Sequence, residues 1–142
     1  MTPRRPFQAF LLAAVLMSSA ACTNPFADST TPSPSTPGPT NDSFSGSLAQ
    51  GGAVVFTFTV TAAGNVGVTL TSVSPSTTSA LGLGIGPASN GACSVTNSTS
   101  SAVAGSAAQL TATVNPGTYC VRVSDAGSLS TTSTVSVNVA HS

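Results

Sequence analysis

Charge is nearly missing from this sequence: 142 residues carry three basic side chains, three acidic ones and a single histidine. Charged residues make up 4% of the chain, against about 25% in an ordinary soluble domain. Two of the bases, Arg4 and Arg5, sit near the first residue, which leaves Arg122 alone against Asp28, Asp42 and Asp125. No basic patch exists to neutralise phosphates, so nucleic-acid binding is not expected. No polybasic run exists to attract anionic lipid headgroups. Solubility must rest on Ser, Thr and Asn.

Catalytic groups are equally scarce. A serine nucleophile needs a base and an orienting acid, but the sole base candidate, His141, is one residue from the C-terminus, where chains usually fray. Paired carboxylates for glycoside cleavage reduce to Asp42 and Asp125, since Asp28 falls in a proline-rich stretch. Both lie beside turn residues, and turn or cap chemistry explains them. Gly82-Leu83-Gly84-Ile85-Gly86 lacks the Lys and following helix of a phosphate loop and reads as an alternating strand. The sequons at Asn41 and Asn97 read as chance. Arg122 is expected on a polar strand face, paired with an Asp, with ligand contact as the alternative. No enzyme activity, cofactor or metal is expected, and no binding residue can be named.

Long hydrophobic runs are also absent. Phe10 to Met17 is the longest near the start, well short of the roughly 20 residues a spanning helix needs. Thr, Ser and Gly interrupt every later run, so no transmembrane helix is expected. What is present at the start is secretory grammar: basic Arg4-Arg5, that apolar run, then small Ser19-Ala20-Ala21 before Cys22. The arrangement resembles a bacterial lipoprotein signal. It implies a leader over 1–21, export, and acylation of Cys22, whose two or more chains would hold a membrane firmly. Thr23, a non-Asp residue, points by the same resemblance to the outer membrane. Arg4-Arg5-Pro6-Phe7 matches a twin-arginine signal only in part, and a plain basic n-region is the simpler reading.

Three cysteines occur in all. With Cys22 lipidated, Cys93 and Cys120 form an even pair in an oxidising compartment, which points to a disulfide. A metal site from Cys93, Cys120 and His141 lacks a fourth ligand and zinc-type spacing. Residues 22–42 are rich in Pro, Ser and Thr; proline fixes φ and removes donors, so this part reads as an extended spacer.

From Ser43 the pattern changes to alternation, in Val54/Phe56/Phe58/Val60, Val66/Val68/Leu70, Leu81/Leu83/Ile85, Leu110/Ala112/Val114, Tyr119/Val121/Val123 and Val135/Val137/Val139. Period two with β-branched residues signals half-buried strands. Phe44 to Leu48 and the stretch around Cys93 and Val95 are weaker candidates. Turn signals separate the runs, among them Gly51-Gly52, Asn90-Gly91 and Asn115-Pro116-Gly117. The expectation for 43–142 is an all-β, seven- to eight-stranded antiparallel β-sandwich. Cys120 shares parity with outward Arg122, and Cys93 with Val95. An exposed bridge is therefore expected, with Cys93 in a loop or Val95 outward.

Phe44-Ser45-Gly46-Ser47-Leu48 followed by Val55-Phe56-Thr57-Phe58-Thr59-Val60 resembles the opening of bacterial pre-peptidase C-terminal (PPC) domains. Asn115-Pro116-Gly117-Thr118-Tyr119-Cys120-Val121-Arg122-Val123 is similar to that family's late strand, in which proline-glycine turns the chain and Tyr enters the core. The resemblance covers roughly 43–140. It implies a jelly-roll-like sandwich acting as a non-catalytic accessory module that assists secretion or binds a substrate or surface. No peptidase segment precedes it in this sequence. Some such domains bind calcium through clustered acids; only Asp42 and Asp125 are present here, and hard cations want six to eight oxygens.

Together these features lead us to expect a non-catalytic, lipid-anchored cell-surface protein whose partners are the membrane and an extracellular protein or glycan. The alternative is a structural envelope component that self-associates through its sheet faces or edges.

Overall fold

The structure is a computed structural model that describes residues 38–75 and 80–142. The leader, Cys22 and the spacer up to residue 37 lie outside the described residues. Among the described residues there are nine strands and no helix: β1 (Thr40–Leu48), β2 (Ala53–Val60), β3 (Gly64–Ser74), β4 (Leu81–Ser89), β5 (Ala92–Cys93), β6 (Asn97–Ala102), β7 (Leu110–Val114), β8 (Gly117–Ser124) and β9 (Ser133–His141). The first sheet runs β1-β9-β3-β7; in the second, β2-β8-β4, both β5 and β6 pair with β4. All pairings are antiparallel. The protein is an all-β sandwich.

Two-residue β5 is the strand beyond the expected eight. The other eight follow jelly-roll order, β1-β9-β3-β7 facing β2-β8-β4-β6, with chain connections that mostly cross between sheets. The weak candidate around Phe44 proves to be a nine-residue strand. It begins at Thr40, three residues before the alternation becomes regular, directly after Pro39.

The alternation buries one face of each strand. Phe58, Val60, Val66, Val68, Leu70, Leu81, Leu83, Ile85, Val121, Val123, Val135, Val137 and Val139 form the core. Their register partners on the same strands, such as Val55, Thr57 and Arg122, face out. Phe56 is only half-buried; it stacks on Phe44 with ring centroids 5.4 Å apart and so closes the side where β1 meets β2. Tyr119 packs against the core 6.1 Å from the Phe58 ring. Its hydroxyl donates to the Asn115 carbonyl at 3.0 Å, tying the turn before β8 to the strand.

Alternation alone would put Val73 outside, since Leu70 is inside. A bulge in β3 between Leu70 and Ser72 resets the register against β9 and returns Val73 to the core. On the other edge of β3, Gln109 Oε1 accepts from Leu70 N–H at 2.7 Å while its Nε2 donates to Val103 O at 2.9 Å. One amide side chain thus fastens the loop before β7. The β4–β5 turn needs left-handed backbone at both central residues, Asn90 (φ 50°) and Gly91 (φ 76°), as a two-residue type I′ hairpin requires.

Cys93 and Cys120 are bridged, with Cα atoms 5.6 Å apart. Val95 is the outward residue, 39% exposed, and Cys93 ends β5. The expectation of an exposed bridge needs correction: Cys120 is fully buried although it lies on the outer face of β8, and Cys93 is half-buried. The reason is that the chain after β5 bows over that face and covers it. The bridge spans 27 residues of sequence, for which chain entropy gives about 3.5 kcal/mol. Reduction, or Cys120→Ser with Cys93→Ser, is expected to lower unfolding stability by up to that amount, read as a drop in denaturant midpoint with the strand signature in circular dichroism retained.

Candidate functional site

The outer face of the second sheet is shaped by missing side chains. On β4, Leu81, Leu83 and Ile85 point into the core, so Gly82, Gly84 and Gly86 all point outward. Across the ladder these glycines pair with Ser124, Arg122 and Cys120 of β8. The row of glycines forms a furrow beside the β8 side chains, with Ser124 Oγ leaning over Gly82.

The segment between β5 and β6 closes part of it. Ser94 N–H donates to Pro87 O at 3.1 Å and Thr96 N–H to Ile85 O at 2.9 Å. Between them the chain arches over the furrow, so a side chain at 86 would strike the Ser94 carbonyl. A Cβ at 84 would lie 2.8 Å from Val95 Cγ1. Cys120 Sγ lies 3.1 Å from Gly86 O; a bridged sulfur has no proton, so this is packing rather than a hydrogen bond. Glycine at 84 and 86 is what lets the covering segment and its disulfide sit down on the sheet.

Beyond Val95 the furrow stays open as a groove of about 560 Å³, lined by Gly82, Gly84, Val95, Arg122, Ser124 and the hydroxyl-bearing Ser98 to Ser100 of β6, among others. Arg122 stands on its floor and is exposed. The expected pair of Arg122 with an Asp does not form: among the described residues the one contact of a basic side chain with a carboxylate is between His141 and Asp42. Asp42 lies on β1 of the opposite sheet, and Asp125 is committed elsewhere.

Asp125 is buried just past β8. Its Oδ1 accepts from the backbone N–H of Gly127, Ser128 and Leu129 at 3.1, 2.7 and 3.1 Å, and its Oδ2 from Gly51 at 2.8 Å. This is the turn chemistry expected of it, with the added role of joining the β1–β2 turn to the loop after β8. The Gly51 hydrogen bond above all, helped by the other three and opposed by burial, holds its carboxyl below the usual carboxylate value.

Two expectations are corrected at the other end of the sandwich. His141 is not frayed: it is 5% exposed, on the inward face at the end of β9. Its Nε2–H donates to Asp42 Oδ2 at 3.0 Å, its Nδ1 lies 3.3 Å from Ser142 O, and its ring centroid is 5.4 Å from that of Phe58. Pairing of β1 with β9 out to Thr40 and His141 orders the chain end. Asp42 is likewise a strand residue, not a turn residue. The pair caps an open end of the core; both imidazole nitrogens face oxygens that are not serine hydroxyls, so no relay to a serine is assembled.

Asp42 and Asp125 lie at opposite ends of β1, on the order of 20 Å apart by strand rise, and do not converge on a cation. Among the described residues no cluster of three or more His, Cys, Asp or Glu could hold a metal. The sulfurs of Cys93 and Cys120 are used by each other. Asn97 Nδ2 donates to Thr111 O at 2.7 Å, linking β6 to β7. Cys22 lies outside the described residues.

No family model and no curated protein matches this chain.

The groove was not foreseen from the sequence, although its signal was visible: three glycines alternating with aliphatics, paired with a strand that carries Arg122, the one Lys or Arg among the described residues. Asp125 gives the site's margin a pH dependence. A carboxyl held below its ordinary value of 3.8 stabilises the fold above that value, and the contribution is lost as pH falls through the lowered one. The denaturant midpoint of the native protein is therefore expected to fall on acidification below about pH 4, and Asp125→Asn to be less stable at neutral pH with a flatter acid limb. An unchanged acid limb in the variant would remove Asp125 from this role.

Proposed function

We propose that this is a non-catalytic, lipid-anchored envelope protein whose sandwich holds a cell-surface ligand in the outer groove of its second sheet. The observation that carries the reading is the groove: a furrow made by Gly82 and Gly84, walled by a disulfide-pinned segment, with Arg122, the one Lys or Arg among the described residues, on its floor. A position for that ligand is supported by where the chain enters. Thr40 lies at the His141 end of the sandwich, while Arg122, Ser124 and Ala126 lie toward the Asp125 end. Thr40 and the groove thus lie toward opposite ends of the sandwich. The jelly-roll order is in keeping with the resemblance to PPC accessory modules, and the leader supports export, lipidation at Cys22 and an outer-membrane address.

A second reading has its own observation. β2 is an edge strand of eight residues, Ala53 to Val60, with neither charge nor proline to blunt it, and such edges invite pairing with another copy. Screening the full chain in mild detergent on a glycan array, beside light scattering, separates the two. Ligand capture by a monomer is the expected outcome; concentration-dependent oligomers without a ligand would replace it with the structural reading.

The anchor has a separate test. Cys22→Ala is expected to lose acyl mass relative to the native protein and to leave the membrane fraction. A variant that keeps both its mass and its membrane partition would remove the anchor from the account.

A further inference from the structure

Resting on that reading of the groove, we propose that its ligand is a carboxylate-bearing saccharide, a uronic acid unit of an acidic glycan, with the carboxylate on Arg122 and the ring hydroxyls among Ser98, Thr99, Ser100 and Ser124. The charge argument comes first. Arg122 is the only Lys or Arg among the described residues, and none of the carboxylates there pairs with it. The nearest acid in sequence, Asp125, has both oxygens filled by backbone N–H groups. Guanidinium presents a planar fork matched to a carboxylate; Gly84, its ladder partner, adds no side chain of its own beside it, and Val95, which lies over Gly84, borders the groove on that side.

The rest of the lining selects among carboxylates. The groove floor is a completed ladder of β4 with β8 and β6, so its backbone is already hydrogen-bonded and cannot add a peptide strand in the way that sheet-edge recognition requires. A bound peptide would instead need apolar pockets, and the one large exposed apolar side chain in the lining is Val95. Serine and threonine hydroxyls both donate and accept, which suits a ligand that is itself mostly hydroxyl. A volume of about 560 Å³ falls in the range of small-molecule sites, roughly 300–1,000 Å³.

The test is calorimetric titration of the full chain in mild detergent with three probes: a galacturonic acid disaccharide, the same disaccharide as its neutral methyl ester, and an acetylated dipeptide with a free carboxylate. The acid disaccharide is expected to bind, the ester at least tenfold more weakly, and the dipeptide at least tenfold more weakly. Arg122→Gln, an exposed substitution, should abolish the preference for acid over ester without moving the thermal midpoint, and Arg122→Lys should keep part of it. Equal binding of acid and ester, or a preference that survives Arg122→Gln, would overturn the inference. Binding of the dipeptide alone would overturn the saccharide assignment and make the ligand a protein. Failure of all three probes beside a neutral-glycan hit on the array would sink the carboxylate and leave the binding-module reading standing. Failure of all probes with oligomer formation would sink both.

Discussion

The constraint on which the outer architecture depends is the two-faced character of β4. Its inward residues, Leu81, Leu83 and Ile85, are among the most deeply buried in the molecule, and each is worth about 1.5–3 kcal/mol of transfer free energy. The outward residues that alternate with them, Gly82, Gly84 and Gly86, have no side chains. That bareness lets a second layer of chain settle directly on the sheet, and the layer is then held by the bridge from Cys93 to Cys120. A strand with ordinary outward residues would leave the β5–β6 connection with nowhere to lie. The disulfide, the buried position of Cys120 and the groove beside Arg122 are three consequences of one stripe of glycine.

Much of this fold was legible in the sequence because nearly every strand obeys period two and nearly every turn carries Gly, Pro or Asn. The inward set of β2, β3, β4, β8 and β9 could be read residue by residue. Three places were not legible, each for a physical reason. Val73 breaks parity because a bulge inserts one residue into β3, and the glutamine that stabilises this part of the strand is some forty residues away. The bridge looked exposed because parity assigns a residue to a face but cannot say what covers that face. His141 looked frayed because position in sequence says nothing about pairing with a strand that starts a hundred residues earlier; β1 and β9 meet along their whole length.

Scarcity of charge sharpens what each charge does. Asp125 is enclosed by four backbone donors and ties two loops at one end of the sandwich. Asp42 and His141 close the other end with a pair that tolerates both solvent and the Phe58 ring. A chain with abundant surface charge would place such residues anywhere at little cost, since exposed pairs contribute about 0–1 kcal/mol. Here, among the described residues, every ionisable side chain other than Arg122 has a structural assignment, Tyr119 through its hydroxyl. Arg122 is the remainder.

That remainder is what separates the two functional readings. Self-association through the β2 edge would use backbone donors and acceptors and would be indifferent to Arg122, which lies on the outward face of the neighbouring strand. Ligand capture in the groove uses the cation and the glycine furrow together and is indifferent to the edge. The groove also involves several features that must occur together, namely Gly82 and Gly84 in its lining, Gly86 under the covering segment and a bridge that pins one wall, whereas a neutral edge arises simply from omitting charge. A sandwich that places the one arginine among its described residues at the floor of a groove with a disulfide-pinned wall is more economically explained by recognition at that surface than by assembly at an unguarded edge.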